Sequence, residues 1–520
     1  MLRLEELTVE QKLGRVLCMR VMENADNLKF TLEMIRRQAV GCVQVTVNEK
    51  APEVIARLRA EADYPLLIFN DMERGYAPSG LPLVPFVSLS ACDSEEYTRA
   101  FAAAVAFYAK EAGFSGCWGP VLDILHRDAP CTVARCAGDT SDRVLHLTRE
   151  INRVFASYGF LGTGKHFPGG QDMPMDTHMA EAVSSFSAED LMNISLRPYI
   201  ELMKEDLLPC IMTGHTVFPK IDPDYPASLS KKVISLFRRA GFDGLVFTDS
   251  LAMMGILQKY GEGNAMVLAL EAGNDIILPN YRTPMRDAYT MMFEAYRNGQ
   301  ISNSRLDEAV RHVMEAEERA ARPQANPYPV PENIREILSS VARDSVTALT
   351  EDGLSPALDP KKKLLFVVMT PADYKEGAIN AEISESEWYS PDRVMRAIPE
   401  DFPNAEILTM PEFPTAGQNE LILNAATRHN EVVFVTYCDT RAYLGTDGLT
   451  RRAESVIRAI AISGKLAAVV HFGNPLALKP LGTLPRRIFG YAAPDAQLHA
   501  IRVLAGKAAA KGTPPFTNLL

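Results

Sequence analysis

The chain has 520 residues, 47% hydrophobic and 23% charged, with net charge -11 and a pI near 5.5. That length exceeds one ordinary domain, and the composition is that of a soluble globular protein rather than a disordered or fibrous one. No dense Lys/Arg run suggests a nucleic-acid surface, no stretch of about 18 apolar residues suggests a membrane span, and the acidic opening Leu4-Glu5-Glu6 lacks the basic-then-apolar pattern of a signal peptide. The cysteines, Cys18, Cys42, Cys92, Cys117, Cys131, Cys136, Cys210 and Cys438, fall mostly in apolar runs without C-x-x-C spacing. Reduced thiols in a cytoplasmic protein are the expectation.

Thr8 followed by Gln11 is a capping-box start to a first helix. Apolar runs bounded by turn signals then recur near 16–21, 40–46, 66–70, 115–120, 159–164, 208–213, 244–248 and 274–278. Most are separated by amphipathic segments such as Glu95–Ala112 and Ala188–Lys204, and this alternation predicts a (β/α)8 barrel of the TIM type over residues 1–322. Polar residues follow the runs in a regular way. Asp71 and Glu73 follow the third, Asp123 the fourth, Lys165 and His166 the fifth, His215 the sixth, Asp249 the seventh and Asn280 the eighth. In such a barrel the ends of the strands form the catalytic face.

The segment Gly164–His178 holds two aspartates, two histidines, a lysine and five Gly/Pro breakers, so it reads as a loop entered from a short buried strand at Tyr158–Thr163. Asp176 and His178 have the makings of an oriented acid/base, the carboxylate holding the imidazole's tautomer; turn-capping by the same two residues is the plain alternative. Asp249, in Phe247-Thr248-Asp249-Ser250, stands at a strand mouth as a candidate nucleophile, or else as a helix N-cap. Nucleophile and proton donor together suit double displacement at an anomeric carbon, with no metal and no cofactor required. His166, His178, His215 and Asp249 are also candidate metal ligands, without H-x-H or H-E-x-x-H spacing to support them.

Four prolines in Pro323–Pro331 mark a linker, a helix is predicted over Glu332–Leu349, and residues 323–344 connect to a second domain at 345–520. There, strands near 363–369, 404–409, 431–437, 465–472 and 487–491 alternate with helices near 417–428, 449–463 and 494–508, which predicts an open, mostly parallel α/β sandwich. No phosphate-binding glycine loop is present: Gly464 reads as a helix stop and Gly473-Asn474-Pro475 as a turn. Glu385, Glu387 and Asp447 read as solvated loop residues.

The loop Lys165-His166-Phe167-Pro168-Gly169, with Asp172, Asp176 and His178, resembles the signature of glycoside hydrolase family 3 in its β-N-acetylhexosaminidase branch. The resemblance covers nearly the whole chain, from Leu7–Lys12 to Val503–Lys507, and implies a glycosidase acting on a small GlcNAc-containing molecule without cofactor. By it, Asp249 matches the nucleophile and Asp176 with His178 the acid/base dyad. Asp71, Arg135, Lys165, His166 and His215 match substrate-binding positions. In two-domain members the second domain can complete the site or mediate dimerisation. The chain departs from the pattern at Gly170, Gln171 and Met173, and at Arg74, which becomes a candidate for meeting an anionic aglycone.

Overall fold

The computed structural model describes residues 2–21, 25–126, 134–169, 172, 175–351, 353–370, 390–438, 448–491 and 494–516. Cys131, Gly170, Gln171, Met173, Glu385, Glu387 and Asp447, singled out above, lie outside the described residues. By their internal contacts the residues form two units. Of the described residues, the first comprises those up to Leu83, 98–126 and Cys136–Ile334; the second comprises Val84–Tyr97, 134–135 and those from Arg335 on.

In the first unit, strands Cys18–Val21, Cys42–Val45 and Leu67–Phe69 pair in parallel, as do Gly116–Cys117, Leu161–Phe167, Cys210–Thr213 and Leu245–Thr248. Hydrogen bonds join the two groups. The Ser115 amide donates to Ile68 O (2.9 Å) and the Trp118 amide to Asn70 O (3.0 Å). On the far side the Thr248 amide reaches Ile276 O (3.0 Å) and the Cys18 amide reaches Ile277 O (2.9 Å). Residues 276–278 thereby take the eighth place and the ring closes, so the eight apolar runs are the eight staves of a barrel.

Along a strand, alternate side chains share a face. Cys18, Cys42, Leu67, Phe69, Leu161, Cys210, Met212, Leu245, Phe247, Ile276 and Leu278 meet in one buried cluster that fills the barrel. Val313 and Ala316, on the helix Asn303–Ala321, join that cluster. Beside it the fully buried Arg15 grips Glu317 of the same helix at 3.0 and 2.9 Å, and its guanidinium lies 4.7 Å from the Tyr64 ring centroid. The sulfurs of Cys18 and Cys42, on registered residues of neighbouring strands, stand 3.8 Å apart as thiols.

Local structure departs from the sequence reading in several places. The fifth strand runs on through Lys165 and His166 to Phe167. The single helix expected over Ala188–Lys204 is broken into Ala188–Asp190, a wider turn Leu191–Ser195, and Arg197–Lys204. Pro198 brings no N–H for the Ile194 carbonyl, and the Ser141 hydroxyl supplies the hydrogen bond instead at 2.9 Å. The helix expected to reach Leu349 stops at Asp344, and Thr347–Thr350 becomes a strand. The β-branched pair Val346-Thr347 favours that outcome, and an antiparallel partner at Arg486–Gly490 completes it.

The second unit holds a six-stranded sheet in the order Thr347–Thr350, Arg486–Gly490, Leu466–Gly473, Glu431–Cys438, Leu364–Thr370, Glu406–Pro411. All pairs but the first are parallel. The five predicted strands are there, as are helices Ala416–Thr427, Arg451–Ile462 and Pro494–Leu504, while helix Pro391–Asp401 was not foreseen. Gly464, with φ 72°, ends the helix before it, as read from the sequence.

Candidate active site

The strand alternation that buries the core also furnishes the mouth. Two residues beyond Phe69 and Phe247 of the inner cluster come Asp71 and Asp249, so both leave the barrel on its inner face. Beneath them Phe69, Trp118 and Phe247 pack as an aromatic layer, with centroids 6.5, 5.2 and 6.2 Å apart.

Lys165, only 2% exposed, reaches Asp71 Oδ1 and Glu73 Oε1, each at 2.5 Å. A buried ammonium held by two carboxylates is fixed in place while Asp71 stays more than half exposed. Next to it, joined by a cis peptide, His166 is clamped by Asp123. The His166 amide donates to Asp123 Oδ1 (3.0 Å), and Nδ1 meets Oδ2 (2.7 Å). That carboxylate takes the Nδ1 hydrogen and turns Nε2 toward Asp249, whose Oδ2 is 3.9 Å away.

Asp249 is not a helix N-cap: the next helix, Met254–Tyr260, begins five residues on with Met253 in the cap position. Its Oδ1 accepts the Ser250 amide at 2.7 Å, and its own amide donates to Thr213 O at 2.9 Å. Burial pushes its carboxyl up, but His166, His215, the Ser250 amide and His178 outweigh that and hold it below the ordinary aspartate value. His215 itself is buried. Its Nε2 donates to Ser250 O (3.0 Å) and its Nδ1 accepts from the Ser228 hydroxyl (2.8 Å), while burial lowers its pKa and the Asp249 carboxylate opposes that in part.

The Asp176–His178 loop is pinned at both ends. Asp172 accepts from the Ser184 hydroxyl and, at 2.8 and 2.5 Å, from the Ser185 amide and hydroxyl. Downstream, the Met254 and Gly255 amides donate to the carbonyls of His178 and Thr177, each at 3.3 Å. The loop thus sits on the start of the helix that follows Asp249, where helix amides lack partners of their own. Within it, Asp176 Oδ1 accepts both the His178 amide (2.9 Å) and Nδ1 (2.7 Å), which fixes the tautomer and orientation of a 29% exposed imidazole. Among the described residues, no three His, Cys, Asp or Glu side chains converge as a metal cage.

The Glycosyl hydrolase family 3 N-terminal domain profile matches residues 8–316. The chain belongs to glycosyl hydrolase family 3. Two kinds of relative stand beside this family 3 chain. A beta-N-acetylglucosaminidase/beta-glucosidase of Cellulomonas fimi is 25% identical over 60% of the chain, which spans 57% of that enzyme's length. A beta-hexosaminidase of Idiomarina loihiensis is 30% identical over 44% of the chain and 72% of its own length. Among solved structures, a family 3 beta-N-acetylglucosaminidase from Paenibacillus sp. str. FPU-7 superposes with TM-score 0.79 at 26% identity, covering 98% of this chain and 99% of that one.

In this family 3 chain Asp71, Lys165, His166, Asp176, His178, His215 and Asp249 all belong to the barrel unit, whereas Arg135 groups with the second unit. Sequence reasoning passed over two participants, Asp123 and Glu73. Both had been seen to follow strands, and the available signal was charge parity. A lysine and a histidine side by side at a buried strand end, Lys165 and His166, each require a carboxylate.

Proposed function

We propose that the chain is a retaining, exo-acting β-N-acetylglucosaminidase that removes terminal β-linked GlcNAc from small conjugates, peptidoglycan fragments among them, in the cytoplasm. Asp249, ionised at the mouth, attacks the anomeric carbon while His178 Nε2 gives its proton to the departing oxygen. The same imidazole then takes a proton from water as that water attacks the glycosyl-enzyme, restoring Asp249. Asp71, Lys165 and His166 hold ring hydroxyls.

One observation carries this reading: Asp249 faces the Asp123-held imidazole of His166 at 3.9 Å, and a second carboxylate-steered imidazole, that of His178, rides on a loop docked against the helix that follows Asp249. The test is mass spectrometry of the protein incubated with a slow fluorinated GlcNAc donor. A glycosyl adduct on the peptide containing Asp249 is expected; an adduct elsewhere, or none, refutes the assignment.

β-Glucosides are a second substrate class, supported by the double name of the Cellulomonas fimi relative. Phosphate as acceptor is a further reading, because a neutral imidazole repels it less than a carboxylate would. Sugar phosphate formed when phosphate is supplied would favour it. A GlcNAc-binding protein without turnover would bind the sugar and release no chromophore from an aryl glycoside. Arg74 tests the aglycone: Arg74→Ala should lower activity on an anionic muropeptide relative to a neutral aryl glycoside, and an unchanged ratio would remove it from the site.

A further inference from the structure

We propose that Arg20 determines glycone specificity: braced on Tyr281 beside Asp71, its guanidinium donates to the same ring hydroxyl of the terminal sugar that Asp71 accepts from. The inference rests on the proposed function and extends it to the first strand of the barrel. Arg20 lies on the first strand, Cys18–Val21, registered against Gln44. Cys18 and Cys42 belong to the inner cluster, so two residues on, Arg20 and Gln44 leave the barrel on the same inner face as Asp71 and Asp249.

The surroundings of Arg20 suit a ligand better than a structural role. Its guanidinium carbon lies 5.0 Å from the Tyr281 ring centroid, and Arg282 approaches the same ring at 5.2 Å. Such stacking orients the planar fork without using its hydrogens. Its Nε is buried and makes no hydrogen bond among the described residues. A buried donor without an acceptor costs free energy, and Nε of Arg20 carries that cost. The strand after that of Arg20, Cys42–Val45, pairs in turn with Leu67–Phe69, so Arg20 and Asp71 leave the same face of the barrel two strands apart; burial lowers the Arg20 pKa, with Cys18, Tyr281 and Asp71 opposing it.

Arginine only donates, ionised aspartate only accepts, and a hydroxyl does both. A donor-only group beside an acceptor-only group is the complement of one hydroxyl. An anionic substituent is a poorer match, since it would meet Asp71 and Glu73, already sharing Lys165.

Wild type, Arg20→Ala and Arg20→Lys should be compared on an aryl β-GlcNAc and analogues each lacking one ring hydroxyl. Binding of the corresponding free sugars should be followed by calorimetry. Arg20→Ala should raise KM roughly tenfold with kcat changed by less than about threefold, and Arg20→Lys should recover part of the loss. One deoxygenation that costs wild type roughly tenfold should cost Arg20→Ala almost nothing, the mark of a shared contact. Equal deoxygenation penalties in wild type and Arg20→Ala, in both turnover and binding, overturn the proposal. Failure of wild type to cleave the aryl glycoside would refute the glycosidase reading, while the binding comparison would still decide the role of Arg20.

Discussion

The carbonyl of His178 accepts the backbone amide of Met254 at 3.3 Å, so the loop bearing one imidazole is fastened to the helix that begins five residues after Asp249. The contact is between main chains, and it depends on the absence of a side chain at the next residue. A Cβ on Gly255 would stand 2.8 Å from the Ala180 carbonyl oxygen and 3.2 Å from that of Thr177. Gly255→Ala should therefore push the loop outward and lower kcat/KM by roughly a hundredfold, the scale for a displacement of about 1 Å in a catalytic group. Thermal unfolding should change far less, and steady-state kinetics beside calorimetry checks both.

Removing the imidazole itself should have a different signature. His178→Ala is expected to slow cleavage of poor leaving groups by ~10² to 10⁴-fold, because they need a proton as the bond breaks. Activated aryl glycosides should lose much less. Equal losses across a leaving-group series would count against proton donation.

The acidity of Asp249 leads to a pH prediction. Burial opposes ionisation, and His166 is the largest influence favouring it. Because the folded pKa lies below the unfolded value, Asp249 contributes stability above its unfolded pKa and loses that contribution as pH falls through its lower folded pKa. Activity that depends on the carboxylate should persist below the ordinary aspartate range. His166→Asn removes that influence and should move the acidic limb of kcat/KM upward, as a pH–rate profile of the two proteins would reveal.

Below the barrel core, Glu317 offers a second pH test. Burial pushes its carboxyl up to about 8, with the Arg15 guanidinium pulling the other way. A raised folded pKa means that the contribution is whole below the ordinary 4.5 and fades as pH climbs from there through about 8. Arg15→Met removes the pull, raises that pKa further and should cost about 3 kcal/mol, with the loss deepening between pH 6 and pH 9. Chemical denaturation at several pH values measures it, and a pH-independent loss would contradict the account.

Much of this was legible before any coordinates. Eight apolar runs with helical spacers are a consequence of burying strand faces inside a helical ring, and the same periodicity announced that polar residues following each run would crowd one end. Glu73 and Asp123 were visible as charges but not as partners, because nothing in linear order says which lysine or histidine a carboxylate will meet across the barrel. Where neighbours in the chain compete, short-range reading failed: Pro198 broke a predicted helix, and Thr347 left its helix for a partner well over a hundred residues away at Phe489.

Linear order alone carried the alternation of strands and helices, the turn-rich segment holding Asp176 and His178, and the carboxylate after the seventh strand. These follow from periodicity and from local turn and side-chain chemistry, which act within a few residues. Folding in three dimensions was needed to bring His166 to Asp123, to rest the His178 loop on Met254 and Gly255, to put Arg20 and Asp71 on one inner face, and to group Arg135 with the other unit. Ring closure and packing set those relationships, because they join residues far apart in the chain whose meeting depends on strand order and register rather than on local preference.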